Sequence, residues 1–219
     1  MKMLVVFEKG DRLRHIGHLD LLRTMQRALR RSNLPLQYSQ GFNPHILLNF
    51  AAPLSVGMPG SREIMEVPVN KDIPAKQFAE QLKKALPPDL KCISARAVDD
   101  RHPAPMALLK AAIYEISLEN GEALLNAVPD FLKQKEIPAI RKTKSGEKPC
   151  DLRPMIYELK VEDGKLMAML ALCEAATCKP DLLLTALSSF AGVEKPRAYI
   201  IRRQLLGEWN GILVPLENL

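Results

Sequence analysis

The feature that most constrains this chain is an order of elements that occurs twice. Residues 3–8 form a short apolar run with Val5, Val6 and Phe7, the pattern of a strand. Gly10-Asp11 turns the chain, and Arg12-Leu13-Arg14-His15-Ile16 alternates polar and apolar residues, as an extension of the strand or as a loop. From Leu19 to Ser32 the spacing predicts a helix, with Leu21, Leu22, Met25, Ala28 and Leu29 on one face, until Asn33 and Pro35 stop it. Gly41, Asn43 and Pro44 mark residues 38–45 as a loop. A buried strand is expected over 46–52, a turn over 55–61 and an alternating strand over 63–69. An amphipathic helix is expected over 75–86, closed by Pro87-Pro88, and a further strand over 90–98. Strand, helix, strand, strand, helix, strand is the split βαβ, or ferredoxin-like, arrangement, an antiparallel sheet with both helices on one face.

His102-Pro103-Ala104-Pro105 reads as a linker, after which the order recurs. A strand is expected over 112–118, a helix over 122–133, and strands over 137–142 and 155–161, separated by a polar loop over 143–149. Asp163-Gly164 supplies the positive φ of a hairpin turn leading to a strand over 166–172. Lys179-Pro180-Asp181 opens a helix to Phe190, since proline suits a first helical turn, and a last long strand covers 198–206. The expectation is an α+β protein of two ferredoxin-like lobes with antiparallel sheets. They are an N-terminal lobe 1–100, a linker 101–109 and a variant lobe 110–219. No repeat is visible residue by residue, so the pairing of lobes rests on element order alone.

Composition narrows the function classes. Of 219 residues, 47% are hydrophobic and 26% charged, close to an ordinary globular average and far from a disordered one. No apolar run approaches the length of a membrane span, and the apolar stretch after Met1 is too short for a secretory signal. The four cysteines, Cys92, Cys150, Cys173 and Cys178, lack the paired spacing of a zinc site or of a usual iron–sulfur cluster. Free thiols, with Cys173 buried at the end of a strand, and a cytoplasmic protein without metal or cofactor are the expectation. No Gly-x-Gly-x-x-Gly, phosphate-binding Gly-Lys-Ser/Thr or Gly-x-Ser-x-Gly motif occurs, which disfavours nucleotide and serine hydrolases of the usual kinds.

The net charge of +6 is compatible with a polyanionic partner. Its distribution says more. Residues 11–31 hold six arginines, Arg12, Arg14, Arg23, Arg27, Arg30 and Arg31, against Asp11 and Asp20. Arginine forks onto phosphate with two hydrogen bonds, and a row of it along a helix can follow a phosphate backbone. A solvated helix face is the simpler alternative. A second basic stretch holds Arg141, Lys142, Lys144, Lys148 and Arg153, and a third Lys195, Arg197, Arg202 and Arg203.

His15, His18 and His45 are the candidates for proton transfer. Together with Asp20 and Asn43 they are expected to converge in one pocket rimmed by Arg14 and Arg23. His18 can equally cap or underlie the helix. Tyr38 and Phe42 are candidate platforms for a nucleic-acid base, or plugs at the sheet edge. No helix-spaced histidine pair suggests a metal.

Arg14-His15-Ile16-Gly17-His18-Leu19-Asp20-Leu21, Arg27-Ala28-Leu29-Arg30-Arg31, Leu34-Pro35, Tyr38-Ser39-Gln40-Gly41-Phe42-Asn43-Pro44-His45, Ala52-Pro53-Leu54 and Asp151-Leu152-Arg153-Pro154 together carry a resemblance. The chain resembles the radical-SAM-linked (radical-SAM-associated) protein family of unknown function, most specifically over residues 12–54. The resemblance implies a bacterial accessory module beside, or fused behind, a radical SAM protein with a cobalamin-type domain. The chain lacks the three close cysteines that such an enzyme needs for its own cluster. One departure is Ile46-Leu47-Leu48-Asn49 after His45, where the family commonly continues with a Pro-Lys-like polar stretch; a cation at the site is lost.

Three functions follow as expectations. The first is an accessory RNA-binding protein, presenting tRNA or rRNA through the arginine-rich first helix. The second is a module that docks a radical SAM partner without nucleic acid. The third is a metal-independent ribonuclease using His15 or His18.

Overall fold

A computed structural model describes residues 1–143 and 146–219, with Lys142 and Thr143 described by backbone alone. The chain divides into two compact units, Met1–Leu109 with Gln204–Leu219, and Lys110–Arg203. The C-terminal residues therefore group with the first unit, whereas the sequence reading assigns them to the second lobe. The fold class is mixed α/β, with mostly antiparallel strands and five α-helices among the described residues.

In the first unit the order is β1 Lys2–Lys9, α1 His18–Arg31, β2 Asn49–Phe50, β3 Gly60–Pro68, α2 Ala75–Ala85, β4 Leu90–Val98 and the short α3 Pro105–Leu108. β1 pairs antiparallel with β3 on one side and β4 on the other, and β2 pairs with β3. Alternation along β1 sends Met3, Val5 and Phe7 to one face, where they meet Leu21, Met25 and Leu29 of α1 and Phe78 and Leu82 of α2. Met25, Leu29, Phe78 and Leu82 are fully buried. Each such side chain contributes about 1.5–3 kcal/mol by leaving water, which anchors α1 firmly with its opposite side in solvent.

The other face of this sheet is also occupied. Leu4 lies in register with Glu66 and Arg96, and Leu4, Val6 and Ile64 are buried. Arg96 donates to the backbone oxygen of Leu219, which also meets the His102 ring at 3.1 Å. Glu217 takes both Nε (3.2 Å) and Nη2 of Arg62. The 3-10 turn Leu216–Asn218 is thereby held at the sheet face turned away from the helices.

The chain continues with β5 Leu109–Leu118, α4 Glu122–Phe131, β6 Pro138–Thr143, β7 Gly146–Asp151, β8 Ile156–Glu162, β9 Lys165–Ala171, α5 Pro180–Ala191 and β10 Ala198–Trp209, then β11 Ile212–Pro215, which belongs to the first unit. β9 pairs antiparallel with β5 and β8, and β10 neighbours β5. Tyr114 and Ile116 are buried, and Phe131 of α4 meets Phe190 of α5 edge-on at 5.5 Å. Asp163 and Gly164 have φ of 49° and 72° and close the β8–β9 hairpin as expected.

Several expectations are corrected. The polar stretch 143–149 is no plain loop: Gly146–Asp151 pairs with Pro138–Thr143 as a two-stranded hairpin. Most of β7 is exposed, so it carries no apolar alternation to betray it. The strand expected over 46–52 shrinks to Asn49–Phe50, because Ile46 instead bridges Tyr38. Arg12–Ile16 resolves as a 3-10 turn, Asp11–Leu13, and a loop. Within the expected linker 101–109, the His102 N–H bonds Asp99 O, and Pro105 is buried at the start of α3.

Candidate functional site

The chain between β1 and α1 is shaped by a buried lysine. Lys9 is 1% exposed, and its ammonium donates to the carbonyl oxygens of Arg14 (3.3 Å) and Ile16 (3.1 Å). Arg14 O also accepts the Gly57 N–H at 2.8 Å. With those carbonyls turned inward, the segment delivers Gly17 as the N-cap of α1. The Arg14 guanidinium is taken up by Asp11, and His15 is exposed without a hydrogen-bond partner among the described residues.

Along α1, Leu21, Met25, Ala28 and Leu29 are buried, while Arg23, Arg27 and Arg30 are exposed on the far side. Arg23 approaches Asp20 at 3.4 Å, an exposed pair of little energetic weight. Arg27 and Arg30 make no hydrogen bond or ion pair among the described residues. Arg31 turns toward α2 and donates to Ala85 O at 2.9 Å. Beside it lies a depression of about 340 Å3 lined by Arg31, Ser32, Asn33, Gln81, Lys84 and Ala85. The cationic stripe thus continues from α1 to the end of α2.

The loop 38–46 stands against the same helix. Its base is closed by the Tyr38–Ile46 bridge, by the Ser39 N–H on His45 O (2.9 Å), and by Ser39 Oγ, which accepts the His45 N–H (3.0 Å) and meets His45 Nδ1 at 2.8 Å. Gln26 of α1 donates to Ile46 O at 3.1 Å. Gly41 has φ of 121°, a conformation that side-chain-bearing residues rarely adopt. Phe42 and Asn43 at the tip are exposed, Phe42 completely, and Tyr38 is 42% exposed. Phe42 therefore plugs no sheet edge.

His18 and His45 have separate partners among the described residues. The His18 ring packs edge-on against Phe50 at 5.5 Å, and His45 is tied to Ser39. His18 and Gln26, which marks the level of Ile46, are about 12 Å apart along the helix. No hydrogen bond joins any two of His15, His18, His45 and Asp20 among the described residues.

The second basic stretch is largely structural. Asp151 Oδ1 accepts the N–H groups of Ile137 (2.7 Å) and Arg153 (2.9 Å), Leu152 is fully buried, and Arg153 Nη1 reaches Ile156 O at 3.4 Å. Asp-Leu-Arg-Pro therefore closes the foot of the β6–β7 hairpin. Arg141 donates to Thr177 O at 2.6 Å. The side chain of Lys142, and all of Lys144, lie outside the described residues. In the third stretch Lys195 pairs with Asp181, Arg203 pairs with Glu115, and Arg202 is buried. Burial raises the thiols of Cys92 to about 11 and of Cys178 to about 12. Cys173 is half-buried rather than buried. No group of three or more His, Cys, Asp or Glu could hold a metal among the described residues, and no described helix is long and apolar enough to cross a membrane.

Lys9 and Gln26 escape the sequence reading. Lys9 had a signal: it stands two residues after Phe7, so strand alternation turns it inward. Gln26, a polar residue on a helix flank, had none.

Fold and site define a mixed α/β protein that presents an arginine-faced helix beside an aromatic-tipped loop. Residues 2–180 match the model of a family described as uncharacterized proteins conserved in bacteria (DUF2344), and the chain belongs to that family. Comparison with curated proteins gives no match.

Proposed function

We propose that this protein binds RNA through the exposed side of α1, as an accessory module of a radical SAM system. The observation that carries the reading is the placement of Arg27 and Arg30. Both are exposed and without an acidic partner among the described residues, on a helix whose other side is locked into the core. A helix held this way can fix guanidinium groups one turn apart against successive phosphates. Arg23 joins them by releasing a weak contact to Asp20, and Arg31 and Lys84 extend the track. The radical SAM association rests on the sequence resemblance.

The two units are best read as ferredoxin-like. Pairing runs β4-β1-β3-β2 with α1 and α2 on one face, and β10-β5-β9-β8 in the second unit. Such sheets often bind RNA through the face free of helices. Here that route has little support. In the first unit this face holds the Leu216–Asn218 turn. In the second, the central strands offer Ile113, Glu115, Met167 and Met169 and no ring for stacking. The helix is the better candidate.

The docking reading is favoured by one observation: Leu19 and Val56 are 62% and 64% exposed, and Val56 approaches Gly17, at the entry to α1. For the ribonuclease reading, which uses His15 or His18, no hydrogen bond or ring contact joins those two among the described residues, so no specific observation favours it. Filter binding of RNA at several salt concentrations separates the first two. Phosphate contacts give affinity that falls steeply with salt; a protein-docking module gives little or no RNA binding at any salt.

A further inference from the structure

We infer that Phe42 is a stacking platform for an unpaired base, so that the RNA taken by this protein is single-stranded at that point. The inference rests on the RNA reading of α1 and adds the class of RNA. A fully exposed phenylalanine costs the free protein hydrophobic stabilisation and gives it no packing in return. The loop that carries it is built rather than slack. Its two ends are bridged at Tyr38 and Ile46, closed by three Ser39–His45 contacts, and bolted to α1 through Gln26. A ring on a pre-ordered loop loses little freedom when it binds.

Position and charge select the occupant. Gln26 lies between Arg23 and Arg30 on α1, one turn from each. Phe42 is four residues from Ile46, so it stands within about 14 Å of the carbonyl that Gln26 holds. A strand with its phosphates on Arg23, Arg27 and Arg30 is thus within reach of the ring. A duplex keeps its bases stacked inside and has none to offer, whereas every unpaired base has a face to stack. An acidic protein segment would also suit the arginines but gains nothing specific from a flat ring.

The test uses the full chain and three synthetic RNA probes with equal numbers of phosphates: a single-stranded oligoadenylate, the same strand with abasic positions, and a duplex. The wild type is expected to prefer the intact single strand. Phe42→Ala should weaken that binding about tenfold, within the range for loss of one base–aromatic stack. It should leave the abasic strand, the duplex and the salt slope unchanged, and Phe42→Trp should bind at least as well as wild type. Unfolding by urea checks that both variants keep the fold, as expected for a fully exposed position. Salt-dependent binding that Phe42→Ala leaves unaltered, or lowers equally on all three probes, overturns the stacking and leaves the arginine contact standing. Failure of the wild type to bind any probe overturns the RNA reading itself, and with it the stacking, in favour of a protein partner.

Discussion

The Gln26 side-chain amide donates to the Ile46 carbonyl oxygen across 3.1 Å, which ties the arginine helix to the loop that carries Phe42. Replacing Gln26 with alanine removes that tie and nothing from the core. It is expected to cost about 1 kcal/mol and to open the loop locally. Amide hydrogen exchange reads this directly. The Ser39 and Leu47 amides, bonded to His45 O and Gln37 O, should exchange faster while those of β1 keep their protection. Unchanged exchange at Ser39 and Leu47 would show that the loop stands without the helix.

Lys9 should matter more than any exposed cation. Lys9→Met keeps the length of the side chain but withdraws a donor from the carbonyls of Arg14 and Ile16. The expected loss is about 1–3 kcal/mol, seen as a lower urea midpoint with the slope kept. A variant as stable as wild type would mean that other contacts hold the entry to α1.

Acid should be felt in the second unit through Glu115. Hydrogen bonds from Lys165, and then from Arg203, hold its carboxyl below the usual 4.5. A group whose value is depressed in the folded state stabilises at higher pH and loses that contribution as pH falls through the folded value. Below about pH 4.5 the urea midpoint of wild type should therefore fall more steeply than that of Glu115→Gln. Parallel acid limbs for the two proteins would contradict this.

Thiol chemistry offers a check on burial. Cys92 and Cys178, raised to about 11 and about 12 by desolvation, should stay unlabelled by a maleimide at neutral pH until urea unfolds the chain. Fast labelling of either in the native protein would show that its surroundings are open.

Much of the fold was legible because its signals are local. Leu21, Met25 and Leu29 mark α1 to within a residue at each end, and Asp163-Gly164 marks its hairpin. β7 was hidden because a strand exposed along most of its length has no reason to alternate. β11 was missed although Asn210-Gly211, with φ of 51° and 79°, is as strong a hairpin signal as Asp163-Gly164. The arginine stripe was visible from spacing. The histidines were not separable in that way, because the distance between His18 and His45 depends on where 38–50 runs along α1. Arg153 looked like a phosphate ligand by type, but its surroundings, which turn it toward Ile156 O, belong to the tertiary fold.

The central claim is that α1 holds phosphates, and one measurement tests it most directly: the dependence of log affinity on log salt for wild type and for Arg23→Gln, Arg27→Gln, Arg30→Gln combined. All three positions are exposed, so the fold should persist. If each guanidinium contacts one phosphate, the triple variant should bind more weakly across RNA sequences and show a slope shallower by about three. Equal affinity and equal slope for the two proteins would contradict the account.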